Sequence, residues 1–99
     1  MRVTHSLVLV AVALLQMDQE SNARIWGYAL SKRSGVRSGV LYPTLDRMMS
    51  EGWLEDAWEG RERGYKRPPR RYYTITAQGR ADLQALVMRA RREPRFASV

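Results

Sequence analysis

The segment "GVLYPTLDRMMSEGWLE", residues 39–55, carries the reading of the whole chain. Leu41, Leu45, Met48 and Met49 recur at the i, i+4, i+7, i+8 spacing of a helix with one core face, which predicts a helix from about Ser38 to Glu51. Gly52 is its natural stop. Pro43 sits in or just beyond the first turn, where a missing N–H costs least. With Leu41, Leu45 and Met48 holding the helix on the core, Ser38, Tyr42, Pro43, Asp46, Arg47 and Ser50 fall on the outward side. A hydroxyl, an aromatic ring and a guanidinium are thereby offered to another molecule.

Upstream, the residues from about Thr4 to Gln16 are apolar almost all round, as in a helix buried on more than one side. "MDQESNA", residues 17–23, is polar and predicts a loop. Ile25, Tyr28, Ala29 and Lys32 then fit a short second helix that runs out at Ser34 and Gly35. The N-terminus also imitates a secretory signal peptide, with Arg2, an apolar run from Leu7 to Leu15, and small residues Ser21 to Ala23. Asp18 and Glu20 between run and cleavage site argue against that, as does the absence of cysteine. A buried first helix, with Met1 retained, is the preferred reading. The run is also shorter than the roughly 20 residues that span a bilayer, so no membrane partner is expected.

Downstream the period changes from helical to alternating. "WLEDAW" (53–58) and "RRYYTI" (70–75) are aromatic and β-branched, which predicts two antiparallel strands joined by the long charged connection between them. Tyr73 and Ile75 should face inward, with Arg70, Tyr72 and Thr74 on the other side. Thr76 is a good N-cap for a last helix over 77–92, where Leu83, Leu86, Val87 and Ala90 share one face. Arg89, Arg91 and Arg92 suit its C-terminal end through the helix dipole. Pro94 stops it and the last residues are expected to fray.

Charge divides the chain in two. Residues 1–60 hold six basic and seven acidic side chains, a net of −1, whereas residues 61–99 hold eleven and three, a net of +8. The cationic part begins at the connection between the strands, where Arg61, Arg63, Lys66, Arg67 and Arg70 are clustered. Such asymmetry points to a polyanion, and contacts to phosphate supply much of the affinity in proteins that bind nucleic acid. Three helices followed by a hairpin with a basic loop is the order of a winged helix-turn-helix, mainly α with a small β-hairpin. In such a domain Ser38, Tyr42, Pro43 and Arg47 would enter the major groove of double-stranded DNA. The five bases of the wing would grip phosphate. Arg47 is the residue suited to guanine, because its fork matches the O6/N7 pair, with a phosphate as its alternative target.

The ordered set "GYALSK" (27–32), "GVLYPTLDRMMSEGWLE" and "RPPRRYYTITAQGR" (67–80) resembles the PadR-type transcriptional regulators. These segments match that family's Gly-Tyr at helix 2, its Leu-Tyr-Pro recognition helix, and its Pro-Arg-Arg-Tyr-Tyr second wing strand, over about Leu7 to Leu86. Tyr42 and Pro43 match the recognition-helix pair, Trp58 the aromatic of the first strand, and Arg70, Arg71, Tyr72 and Tyr73 the second. The resemblance implies a cytoplasmic dimeric repressor on a palindromic operator. It implies a DNA-binding domain over residues 1–76 and a C-terminal dimerisation helix with a short tail over residues 77–99. Ile75 stands where leucine is usual, and the segment from Met17 to Ala23 is longer than the family's turn. Some small relatives bind flat aromatic compounds through a tryptophan of the last helix. This last helix has none, so no small-molecule inducer is supported.

Assembly is expected on separate grounds. A 99-residue chain has a small core. The nearly all-apolar first helix and the stripe on the last exceed what one such core covers, which predicts a two-fold dimer through Leu7, Ala11, Leu14, Leu83, Leu86, Val87 and Ala90. Without cysteine, and with His5 the single histidine, the chain has no thiolate site and no histidine cluster for a metal. It also lacks paired carboxylates in a plausible pocket and a phosphate-binding glycine loop. No enzyme and no cofactor are expected. The competing class is a protein-interaction adaptor using the acidic residues Glu51, Glu55, Asp56 and Glu59. A mobile-element excision or anti-repression factor is a DNA-binding variant of the first reading.

Overall fold

The N-terminal apolar run forms α1 (His5–Glu20), against which the other three long helices pack: α2 (Gly27–Ser34), α3 (Ser38–Ser50) and α4 (Ala77–Arg91). The computed structural model describes residues 2–20, 24–60 and 68–99. Val8, Val10, Ala11 and Leu14 of α1 are wholly buried, which is why this helix lacks a polar side wide enough to face water. Thr4 caps it, its hydroxyl accepting from the Leu7 N–H at 3.1 Å. Among the described residues no helix is long and apolar enough to cross a membrane.

α1 runs past the predicted end at Gln16, through Met17 to Glu20, and tertiary contacts explain why. Met17 is buried in the core. Asp18 accepts from Arg80 of α4 at 2.9 Å, and Glu20 takes both arms of the Arg33 guanidinium of α2, the shorter at 2.7 Å. Polar residues that read locally as a loop thus serve as ties between helices. A similar correction applies at Ile25, which belongs to a two-residue strand, β1 (Ile25–Trp26), and not to the second helix. It joins the hairpin of β2 (Leu54–Glu59) and β3 (Arg70–Ile75) in an antiparallel sheet of order β1-β3-β2.

The hairpin register pairs Leu54 with Ile75 and Asp56 with Tyr73. Tyr73 and Ile75 do face inward, buried under the helices, whereas Arg70, Tyr72 and Thr74 lie on the outer side. The step from α3 into β2 is made by Gly52 at φ 80, a left-handed conformation that suits glycine. Its N–H donates to the Met49 carbonyl at 3.0 Å and the Trp53 N–H to the Met48 carbonyl at 2.9 Å, the paired bonds of a Schellman stop. Thr76 caps α4 as expected, accepting from the Gly79 N–H at 2.9 Å.

The C-terminal tail is not frayed. Pro94–Phe96 form a 3-10 turn that returns Phe96 onto Val8 and Ala90, where it is buried, with the His5 ring edge-on at 6.0 Å. An aromatic side chain supplies enough apolar area to hold down a short segment that has little local reason to be ordered.

Candidate nucleic-acid interface

α3 buries Leu41, Leu45 and Met48 completely and turns the rest of its circumference outward. Ser38, Pro43, Asp46, Arg47 and Ser50 are exposed, as the spacing predicted. Pro43 is the sixth residue of the helix, just beyond its first turn as the sequence predicted. The carbonyl of Gly39, four residues earlier, therefore lacks its usual helical donor. Two of the hydroxyls near this face are turned back on the helix itself. Thr44 donates to the Val40 carbonyl at 2.8 Å, and Ser50 to the Asp46 carbonyl at 3.1 Å.

Tyr42 departs from the simple outward picture. Its ring lies across Gly27, the first residue of α2, close enough that a Cβ on Gly27 would fall 2.5 Å from Tyr42 Oη. It packs neither on its own helix nor wholly into solvent, and 38% of it stays exposed. Arg47, by contrast, is exposed in a shallow surface hollow shared with Arg2, Ser50 and Glu51. Arg2 joins that cation through the tertiary fold, and nothing in the local sequence signals it. Val40 is also exposed, at 48%, and was missed because it stands beside the core residue Leu41. Its legible signal is the i, i+3, i+7 relation to Pro43 and Arg47.

On the hairpin, Arg61, Arg63, Lys66 and Arg67 lie outside the described residues. Arg70 is exposed and places its guanidinium 4.4 Å from the Trp26 ring centre. Beside it Trp26 meets Tyr72 edge-on at 5.4 Å, and Arg24 covers Tyr72 at 4.9 Å while bonding Glu59 at 3.0 Å. A guanidinium stacked in this way keeps its in-plane N–H groups for acceptors such as phosphate oxygens. Arg71 points the opposite way. It donates to Asp56 at 2.8 Å, approaches Asp46 of α3 at 4.0 Å and Met49 Sδ at 3.8 Å, and lies over the Tyr73 ring. One cation thus ties the outward helix to the hairpin.

Tyr73 itself is buried beneath this junction, its hydroxyl without a hydrogen-bond partner among the described residues. Burial pushes its phenol up to about 12; the Arg71 charge opposes the shift, and Tyr42, Asp46 and Asp56 add to it. The carboxylates read as an acidic patch are divided. Asp56 is taken by Arg71 and Glu59 by Arg24, while Glu51 and Glu55 are exposed.

The residues expected at a dimer contact are largely covered within the single chain. Leu7, Ala11, Leu14, Leu83, Val87 and Ala90 are buried within the single chain, and Leu86 is half-buried. α4 lies against α1 and Phe96 closes the remainder, so the premise that one small core cannot cover these side chains is corrected. The large apolar side chain that α4 leaves exposed is Met88, at 60%. Trp53, Val3 and Leu86 help to line a cleft of about 260 Å³. Among the described residues no cluster of potential ligands for a metal ion occurs.

A helix-turn-helix with an antiparallel wing and a fourth helix folded back on the first defines a winged-helix protein. The chain belongs to the transcriptional regulator PadR-like family, whose model matches residues 17–85. Its fold is similar to that of a PadR family transcription regulator from hypervirulent Clostridium difficile R20291. That match has 19% identity and a TM-score of 0.66, covering 89% of this chain and 88% of that one. It is also similar to smu.1704 from Streptococcus mutans UA159, with 22% identity and TM-score 0.64 over 90% and 82% of the two chains. A third likeness is to the circadian clock associated protein Pex from Anabaena, with 18% identity and TM-score 0.58 over 87% and 76%. No curated protein sequence matches the chain.

Proposed function

We propose that the protein is a transcriptional repressor that binds a palindromic operator as a homodimer, with α3 in the major groove and the hairpin loop along the phosphates. The observation that carries this reading is the split of α3. Three residues fix it to the core, and an exposed outer side with Ser38, Pro43 and Arg47 lies immediately before the hairpin whose sequence holds the basic run. Helices placed this way present side chains to base edges, while flanking cations fix register on the backbone. The adaptor reading loses support because Asp56 and Glu59, half of its acidic patch, are already neutralised within the chain.

The test is a binding series over salt on a selected duplex and on random duplex. Replacing Arg63 and Arg67 by alanine should weaken both and flatten the plot of log K against log salt by about 0.9 for each phosphate no longer neutralised. Arg47→Ala should cost roughly 1 to 3 kcal/mol on the selected duplex and much less on random DNA. Equal losses on both duplexes for Arg47→Ala, with operator preference erased by the wing variant, would move specificity to the wing and the minor groove. Binding that ignores salt would instead favour the adaptor.

A further inference from the structure

We infer that Val40 is a specificity-determining residue that reads the C5-methyl of a thymine, about three base pairs from the guanine taken by Arg47. This rests on the DNA-binding reading above and assigns a base contact to a residue outside its Ser38, Tyr42, Pro43 and Arg47 set.

A lone exposed valine is ordinary on a protein surface. This one differs in its surroundings. Val40, Pro43 and Arg47 follow one another at i, i+3 and i+7, so they form a single stripe on the exposed side of α3. The stripe is apolar at its N-terminal end and cationic at its C-terminal end. The hydroxyl of Thr44, one turn on from Val40, is committed to the Val40 carbonyl at 2.8 Å and offers no donor outward. Gly39, next to Val40, keeps the approach open. A Cβ there would meet nothing within 4 Å, so no neighbour among the described residues demands its absence. A glycine within a helix costs about 1 kcal/mol relative to alanine, and close approach of another molecule is one use that offsets it.

In the major groove the single apolar feature of the base edges is the thymine methyl, and guanine offers the paired acceptors that suit arginine. Seven residues of helix advance roughly 10 Å, and base pairs are stacked about 3.4 Å apart, which sets the spacing of about three. Arg37, the N-cap residue of α3, is exposed and supplies positive charge for the flanking phosphates.

The experiment starts from duplexes selected out of a randomised pool by the full-length wild-type protein. Each thymine is then replaced in turn by deoxyuridine, which removes the methyl and keeps every hydrogen bond. One thymine per half-site, about three base pairs from the guanine whose replacement is masked by Arg47→Ala, should lose about fourfold in affinity, the worth of one buried methyl. Val40→Ala should show a loss of similar size on the unmodified duplex and no further loss with deoxyuridine at that position. Its melting temperature should match wild type, because the side chain is half in water. Full operator affinity in Val40→Ala, or losses that simply add to deoxyuridine at every position, would overturn the assignment while leaving the regulator reading intact. A pool that yields no preferred duplex would overturn both.

Discussion

The phenol of Tyr42 rests on the bare backbone of Gly27, so that a Cβ at residue 27 would lie 2.5 Å from Oη and 3.2 Å from Cε1. α3 is thereby seated on the helix before it through one aromatic ring. Gly27→Ala should push that ring away and cost about 1–3 kcal/mol, the usual range for overpacking. Removing the ring as well, in Gly27→Ala with Tyr42→Ala, should restore part of the loss, and urea unfolding of the four corners of this cycle measures the coupling. Gly79→Ala should be worse than Gly27→Ala. There the added carbon would run into the Trp53 carbonyl, which is backbone and cannot swing aside.

Arg71 and Arg24 form ion pairs on opposite faces of the same hairpin, but they should differ in weight. Arg71 is 28% exposed and reaches both Asp56 and Asp46, whereas the Arg24–Glu59 pair is about half in water. Arg71→Ala should cost about 1–2 kcal/mol, as for a partly buried bond to a charged group. Arg24→Ala should stay within about 1 kcal/mol. Arg71→Lys should recover little, since an ammonium cannot reproduce the planar fork. Equal losses for the two alanine variants in chemical denaturation would contradict this ranking.

Tyr73 should set the alkaline limit of stability. The folded protein holds the phenolic proton up to about pH 12, while the unfolded chain releases it near 10.0. The contribution is therefore whole below about pH 10 and is lost as pH rises through 12. Tyr73→Phe should leave neutral-pH stability within about 1 kcal/mol, because the hydroxyl has no partner among the described residues to lose, and should extend the folded range upward. Of the five tyrosines, one should ionise only on unfolding in an ultraviolet titration of the wild type.

The pair Glu20–Arg33 carries the opposite pH sense. Its hydrogen bond from Arg33 holds the Glu20 carboxyl below its ordinary value of 4.5, so the tie between α1 and α2 is complete above that pH and is lost as pH falls below it. Arg33→Gln should lower stability slightly at neutral pH, and the difference from wild type should vanish in acid. Thermal melts of both proteins across that window measure it.

Dimerisation, if it uses α4, has to use what the chain leaves uncovered. Met88→Asp should lower the association constant at least tenfold, read by light scattering, with unchanged helical content, because Met88 is 60% exposed in the single chain. Deleting residues 77–99 would not discriminate. It strips α4 and Phe96 from α1 and should unfold the chain whatever its assembly.

The helical period of Leu41, Leu45 and Met48, the stop at Gly52, the cap at Thr76 and the inward alternation of Tyr73 and Ile75 were all determined by the sequence itself. Each depends on spacing along one element or on a residue's own backbone preference. The end of α1, the strand at Ile25 and the ordered tail were decided by tertiary contacts. Met17, Asp18 and Glu20 are polar or neutral locally and become helical through a core, Arg80 and Arg33. The interface divides in the same way. Arg47 and Pro43 were legible as outward because helical period alone puts them opposite the core. The seat of Tyr42 on Gly27, the stacking of Arg70 on Trp26 and the reach of Arg71 to Asp46 join residues far apart in the chain. So does the burial within one chain of the apolar stripe on α4, because only the packed fold determines which surface meets which.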